Sequence, residues 1–181
     1  MKTIFFATTN DRKIREAEVA CREFDIKVKQ VNLDIEEIQS NNPDDIGRDK
    51  VNKAFVKIQK PVVITDTSWN IPSLNGFPSG YMKDVANWFE SDDFLNLIKD
   101  KKDRRIAFTE SIFYKDSKQI KKFSKEFWGE FSDKPKGAGN SIEQVAMFDG
   151  LTIGESRDKG RLSHDPEDYV WGDFARWYSR H

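Results

Sequence analysis

The chain has 181 residues, enough for one domain with a substantial core, and its 14 Phe and 5 Trp exclude a globally disordered polymer. Thirty basic residues against 31 acidic ones exclude a bulk nucleic-acid binder. No apolar run approaches the ~20 residues of a membrane span, and the lone cysteine, Cys21, excludes an intramolecular disulfide.

The elements follow in chain order. Ile4 to Ala7 reads as a buried strand, too short for the apolar core of a signal peptide. A helix is predicted over about Asp11 to Phe24, with Ile14, Ala17, Cys21 and Phe24 on one stripe. Cys21 then reads as a buried, reduced thiol, which implies a cytoplasmic setting. Ile26 to Val31 alternates as a second strand. Asn42-Pro43-Asp44-Asp45 is a helix start, with a capping Asn, Pro in the first turn and two acids. Val62 to Thr65 has the short apolar run of a central strand. The turn-rich Asn75 to Gly80 leads to a helix near Lys83 to Phe89, and a further helix begins at Ser91. Arg105 to Tyr114 and Gln119 to Phe131 read as a hairpin. The tail from Asp165 reads as an aromatic closing helix carrying Tyr169, Trp171, Phe174 and Trp177. The pattern implies an α/β fold: a long mixed central sheet flanked by helices, in two lobes with an active-site cleft between them.

Three places carry chemistry. Thr8-Thr9-Asn10 follows the first strand, and Lys13 stands on the next helical turn. Outward N–H groups, the helix dipole and a lysine make a phosphate-binding corner, although the same residues also make an ordinary capped turn. Asp66 directly follows the run Val62 to Thr65, where such folds do chemistry or simply cap a turn. Glu36-Glu37 follows an extended segment and reads either as surface charge or as the partner of Asp66. Together Glu37 and Asp66 suit Mg²⁺, which takes oxygen ligands from one or two carboxylates plus substrate phosphates.

The series as a whole resembles the inosine triphosphatase family, pyrophosphatases that remove aberrant purine nucleoside triphosphates. Thr8, Asn10 and Lys13 resemble its opening T-x-N-x-x-K, and Leu33 to Gln39 its glutamate-bearing segment, with Glu37 as the metal-site glutamate. Val62 to Thr67 resembles the strand that ends in the catalytic aspartate, here Asp66. Leu74 to Tyr81 resembles the L-G-G-x-P-G-x-Y loop, followed by Lys83. Lys159, Ser163 and His164 match the K-N-x-x-S-H-R segment, and Lys50 lies where some members carry a substrate-binding lysine. The resemblance implies a Mg²⁺-dependent nucleoside triphosphate pyrophosphatase, a homodimer of single-domain chains spanning residues 1–181, with no nucleic-acid or membrane partner. Asp66, Lys13 and Glu37 would be catalytic, with Glu37 and Asp66 holding the metal. Thr8, Asn10, Lys50, Lys83, Glu143, Lys159, Ser163, His164 and Asp165 would bind substrate. A water positioned by Asp66 would attack the α-phosphorus, giving the monophosphate and pyrophosphate.

The chain departs from that pattern at both ends of the ligand. Thr65 stands where the family usually has an acid, which removes a carboxylate unless water or a nearby side chain substitutes. Ile142 and Glu143 fall at the base-stacking aromatic and its acid. Asp165 replaces the arginine that reads the keto oxygen of the purine. An acceptor in place of a donor reverses the polarity of that edge, which favours an amino-bearing base unless Asp165 turns away as the cap before Pro166. The alternative is a catalytically weak or inactive nucleotide-binding regulatory protein on the same scaffold. Nucleic-acid processing through the basic run Lys115 to Lys125 is a further, weaker reading.

Overall fold

A computed structural model describes residues 2–160 and 170–181. The chain forms β1 (Lys2–Ala7), α1 (Asp11–Arg22), β2 (Ile26–Val31), α2 (Pro43–Ile58), β3 (Val62–Ile71) and β4 (Phe77–Ser79). It continues through α3 (Met82–Trp88), α4 (Ser91–Ile98), β5 (Arg105–Lys115), β6 (Ile120–Phe131), β7 (Ala146–Phe148), β8 (Leu151–Thr152), α5 (Ile153–Asp158) and α6 (Val170–Arg180). The strands make one mixed sheet of order β2-β1-β3-β5-β6-β7-β8, with β4 paired to β3. β1 is parallel to β2 and β3, with Lys2 opposite Ile26 and Phe5 opposite Val62.

The chain divides into two compact units: residues 1–67, 110–125 and 164–181 in the first, and 68–109 and 126–163 in the second. In the first unit strand alternation sorts side chains to two faces. Ile4, Phe6, Val63, Ile112 and Tyr114 pack with Ala17 and Cys21 of α1 and with Trp171 and Phe174 of α6. Their neighbours Ala7, Val62, Ile64 and Phe113 pack with Val51 and Ala54 of α2. The second unit has its own core, built on Trp69, Ile71, Phe94, Ile98, Ile106, Phe108, Ile142 and Phe148.

Several boundaries differ from the sequence reading. α1 stops at Arg22, short of Phe24, because Asp25 turns into the left-handed region before β2. β3 does not end at Thr65 but continues through the polar Asp66 to Ile71, where β4 pairs with it through Trp69–Ser79 and Ile71–Phe77. Part of the expected loop 75–80 is thus strand β4. Asn42 caps α2 as predicted, its side chain accepting from the Asp44 N–H at 3.1 Å. Cys21 is fully buried, and burial pushes its thiol up to about 12, as expected of an inert core residue. None of the described helices is long and apolar enough to cross a membrane.

Candidate active site

The turn expected to bind phosphate forms at the end of β1. Asn10 caps α1, its Oδ1 accepting from the N–H groups of Arg12 at 3.0 Å and Lys13 at 3.4 Å. The Thr8 hydroxyl accepts from the Asn10 N–H at 3.1 Å. Both residues are therefore spent first on shaping the turn. Each retains donors by valence, a hydroxyl hydrogen and an amide NH₂.

Helix α2 fastens the acid-bearing segment beside it. Lys50, Lys53 and Lys57 recur at three- and four-residue spacing, on one helix face. Lys50 pairs with the Glu37 carboxylate, Lys53 donates to the Glu36 carbonyl at 2.8 Å, and Lys57 donates to the Asp34 carbonyl. A segment without regular structure is thereby pinned, and Glu37 with it. Lys50 and Glu37 are brought together as one ion pair.

Asp66 lies within β3, one residue before the chain leaves the first unit. Burial pushes its carboxyl up, against the pull of Lys50 and Lys13; Glu37 raises it further, and the Thr67 N–H lowers it. Lys13 is pushed down, chiefly by burial, with Asp66 and Glu110 pulling it back up. Lys13, Asp66, Thr65, Glu16, Glu110, Ser111 and Trp171 are among the residues lining one small hollow.

Two carboxylates in that hollow were absent from the sequence reading. Glu110 is pushed up to about 7, first by burial and then by Glu16, with Lys13 and Arg12 opposing. Glu16 is raised, again by burial, and pairs with Arg12 at 3.6 Å. A signal did exist for Glu110: it is the one charge on the alternating run Ile106, Phe108, Glu110, Ile112, Tyr114. A stability effect follows. Glu110 binds its proton more tightly folded than unfolded, so its contribution is full below about pH 4.5 and is lost as pH rises through about 7. Glu110→Gln removes that loss. The variant should match wild type below pH 4.5 and exceed it by about 2 kcal/mol above pH 7, read from urea unfolding across pH.

The donor set suits a hard divalent cation. Glu37 and Asp66 are close enough to oppose each other electrostatically, and both offer only oxygen. Among the described residues no group of three or more His, Cys, Asp or Glu could hold a metal ion. Two carboxylates completed by phosphate oxygens are the arrangement Mg²⁺ commonly takes.

The remaining predicted residues lie in the second unit or outside the described residues. Lys83 is exposed in the first turn of α3, and Lys159 is exposed at the end of α5. Glu143 is already engaged: its carboxylate takes both Arg157 nitrogens, at 2.8 and 2.6 Å, and the Asn140 N–H at 3.0 Å. The structure thus brings Glu143 together with a loop and an arginine. Ile142 is 1% exposed in the second core and presents no face on which a base could stack. Ser163, His164 and Asp165 lie outside the described residues.

Comparison with known proteins defines the class. Solved structures superpose along the whole fold: the Staphylococcus aureus Ham1 protein with a TM-score of 0.79 at 22% identity, covering 99% of each chain. A HAM1 protein from Coxiella burnetii gives 0.83 at 18% identity, covering 100% of each. Residues 4–157 match the profile of the Ham1 family. A dITP/XTP pyrophosphatase of Pyrococcus horikoshii is 33% identical over 167 residues, 89% of each chain. Inosine triphosphate pyrophosphatase 1 of Trypanosoma cruzi is 32% identical over 171 residues, 88% of this chain and 85% of the relative. The chain belongs to the Ham1 family. Its relatives carry the names of nucleoside triphosphate pyrophosphatases, in agreement with the motif series.

Proposed function

We propose that this chain is a Mg²⁺-dependent nucleoside triphosphate pyrophosphatase that releases the monophosphate and pyrophosphate. One observation carries the reading: a half-buried aspartate, Asp66, stands in the field of Lys13, Lys50 and Glu37 within one compact unit. The names of the relatives support the reaction class.

Glu37 and Asp66 would hold the cation, which when bound neutralises phosphate charge and polarises the phosphoanhydride. The chain's own groups do the rest. The start of α1 offers its dipole to the phosphates, and Lys13 adds a full charge at that end. Asp66, made more basic by burial, accepts a proton from the attacking water. Lys50 keeps Glu37 in place beside Asp66. The resulting acceleration is positional and electrostatic.

Base choice is the finer part of the proposal. Asp165, in the arginine position of the motif, supports an amino-bearing base over a keto purine. Glu143 gives that idea no help, since Arg157 already occupies it. We also extend the reading to a cytoplasmic homodimer, supported by the buried thiol of Cys21 and by two exposed aromatics, Tyr81 just after β4 and Trp88 at the end of α3.

A nucleotide panel with Mg²⁺ tests both levels. Pyrophosphate and monophosphate are expected, with an adenine, modified adenine or cytosine triphosphate turned over faster than ITP or XTP. ITP outpacing every amino-bearing triphosphate overturns the base assignment alone. Absence of pyrophosphate from all of them overturns the activity.

A further inference from the structure

The segment that carries Glu37 is held by three lysines of α2, and their holds are not equivalent. Residues 32–40 have no regular secondary structure. Up to Ile35 the chain is anchored by its own apolar side chains, since Leu33 and Ile35 pack on the core that includes Val51 and Ala54 of α2. Past Ile35 that anchor ends, because residues 36–39 are exposed. Glu37 lies in this second stretch.

Lys57 donates to the Asp34 carbonyl, between the two apolar anchors, where it repeats a restraint that the core already provides. Lys53 acts further along. It donates to the Glu36 carbonyl at 2.8 Å. That carbonyl and the Glu37 N–H belong to one planar peptide unit that runs from the Glu36 Cα to the Glu37 Cα. Holding its oxygen stops the plane from turning about the chain and carrying Glu37 with it. Lys53 is itself steered: Asp49, one turn earlier on α2, pairs with its ammonium at 2.7 Å. Lys50 then meets the Glu37 carboxylate. An ion pair between two flexible side chains does not by itself fix a backbone. The side-chain hold belongs to Lys50 and the backbone hold to Lys53.

We infer that Lys53 is a positioning residue: steered by Asp49, it holds the peptide between Glu36 and Glu37 so that the Glu37 carboxylate is presented where Lys50 meets it. The inference rests on the role proposed above for Glu37. In that reaction Lys53 needs no contact with nucleotide or cation.

The test compares wild type with Lys53→Met, Lys57→Met, Lys53→Arg and Asp49→Asn. Methionine keeps the apolar stem and the helix propensity of lysine while removing the ammonium. The protein, without added nucleotide or metal, is treated with a water-soluble carbodiimide, which joins a carboxylate to an amine in contact with it. The Lys50–Glu37 cross-link is then quantified by mass spectrometry. In Lys53→Met its yield should fall about three- to tenfold, and kcat/KM with nucleotide about tenfold, the scale expected when a reacting group is displaced. Lys57→Met removes the same kind of bond from the anchored stretch and should stay within about twofold of wild type in both readouts. Lys53→Arg should keep most of the cross-link, because its guanidinium also donates to a carbonyl, and Asp49→Asn should fall between. Both methionine variants should melt with wild type. Equal cross-link yields in Lys53→Met and Lys57→Met overturn the inference. A Lys53→Met protein that melts well below Lys57→Met overturns it too, since the role would then be structural. A wild type that cross-links as expected but releases no pyrophosphate overturns the activity, while the hold of Lys53 on the Glu37 peptide stands.

Discussion

Asp66→Asn should lower kcat about a thousandfold while the protein stays folded. Asparagine keeps the shape but can neither accept the proton of the attacking water nor offer a charged oxygen to a cation. The fold should not suffer. The carboxyl is raised, chiefly by burial, so its ionised form is the costly one in the native state. A neutral amide therefore leaves stability equal or higher at pH 8, by the same linkage that governs Glu110. Pyrophosphate release and thermal unfolding, measured on one preparation, separate chemistry from folding. Near-wild-type turnover would remove Asp66 from the reaction. Lost turnover with a large fall in melting temperature would make its role structural.

Gly47→Ala should lower stability, although it replaces a helix-interior glycine with the best helix former. Propensity alone predicts a gain of about 1 kcal/mol. Packing reverses the sign. A Cβ at Gly47 would stand 2.1 Å from the Phe113 ring on β5, and that ring is buried in the core beneath α2. Relief requires the ring or the helix to move, at a net cost of about 2–3 kcal/mol, or about 5–10 °C in melting temperature. The displacement also reaches the site. Lys50 lies one helical turn on, and through Glu37 it fixes the acid-bearing segment. A roughly tenfold fall in kcat/KM should accompany the loss of stability. Phe113→Leu, by shortening the offending ring, should recover part of both in the double variant. A Gly47→Ala protein as stable as wild type would show that α2 does not lie close on the sheet at this point.

Most of the scaffold was legible because local rules and tertiary packing agree. Asn42-Pro43 caps and starts a helix by its own chemistry, and Ile26 to Val31 alternates because one face meets the core. The length of β3 was not legible. Thr65 to Ser68 is polar, and its strand rests on long-range neighbours that local sequence does not show: β5 beside β3 in the sheet, and β4, which pairs from Trp69 on. The short β7 and β8 lack a periodic signal of their own and exist through their neighbours.

The site divides the same way. Lys13, Asp66 and Glu37 were visible as motifs, and the structure sets Lys13 and Glu37 in the field of Asp66. Glu110 was hidden by a strand reading that tracks apolar positions and passes over the exception. The pairing of Glu143 with Arg157, fourteen residues on, was not legible, because sequence order carries no sign of it. Thr65 was noted for the acid it lacks; Glu110, on the neighbouring strand, places a carboxylate in the same hollow.

Hydrolysis in ¹⁸O-labelled water, with the products weighed by mass spectrometry, tests the central claim most directly. Attack at the α-phosphorus beside Asp66 predicts a single ¹⁸O in the nucleoside monophosphate and unlabelled pyrophosphate. Label in pyrophosphate, or release of labelled orthophosphate, would place the attack at another phosphorus and contradict the account.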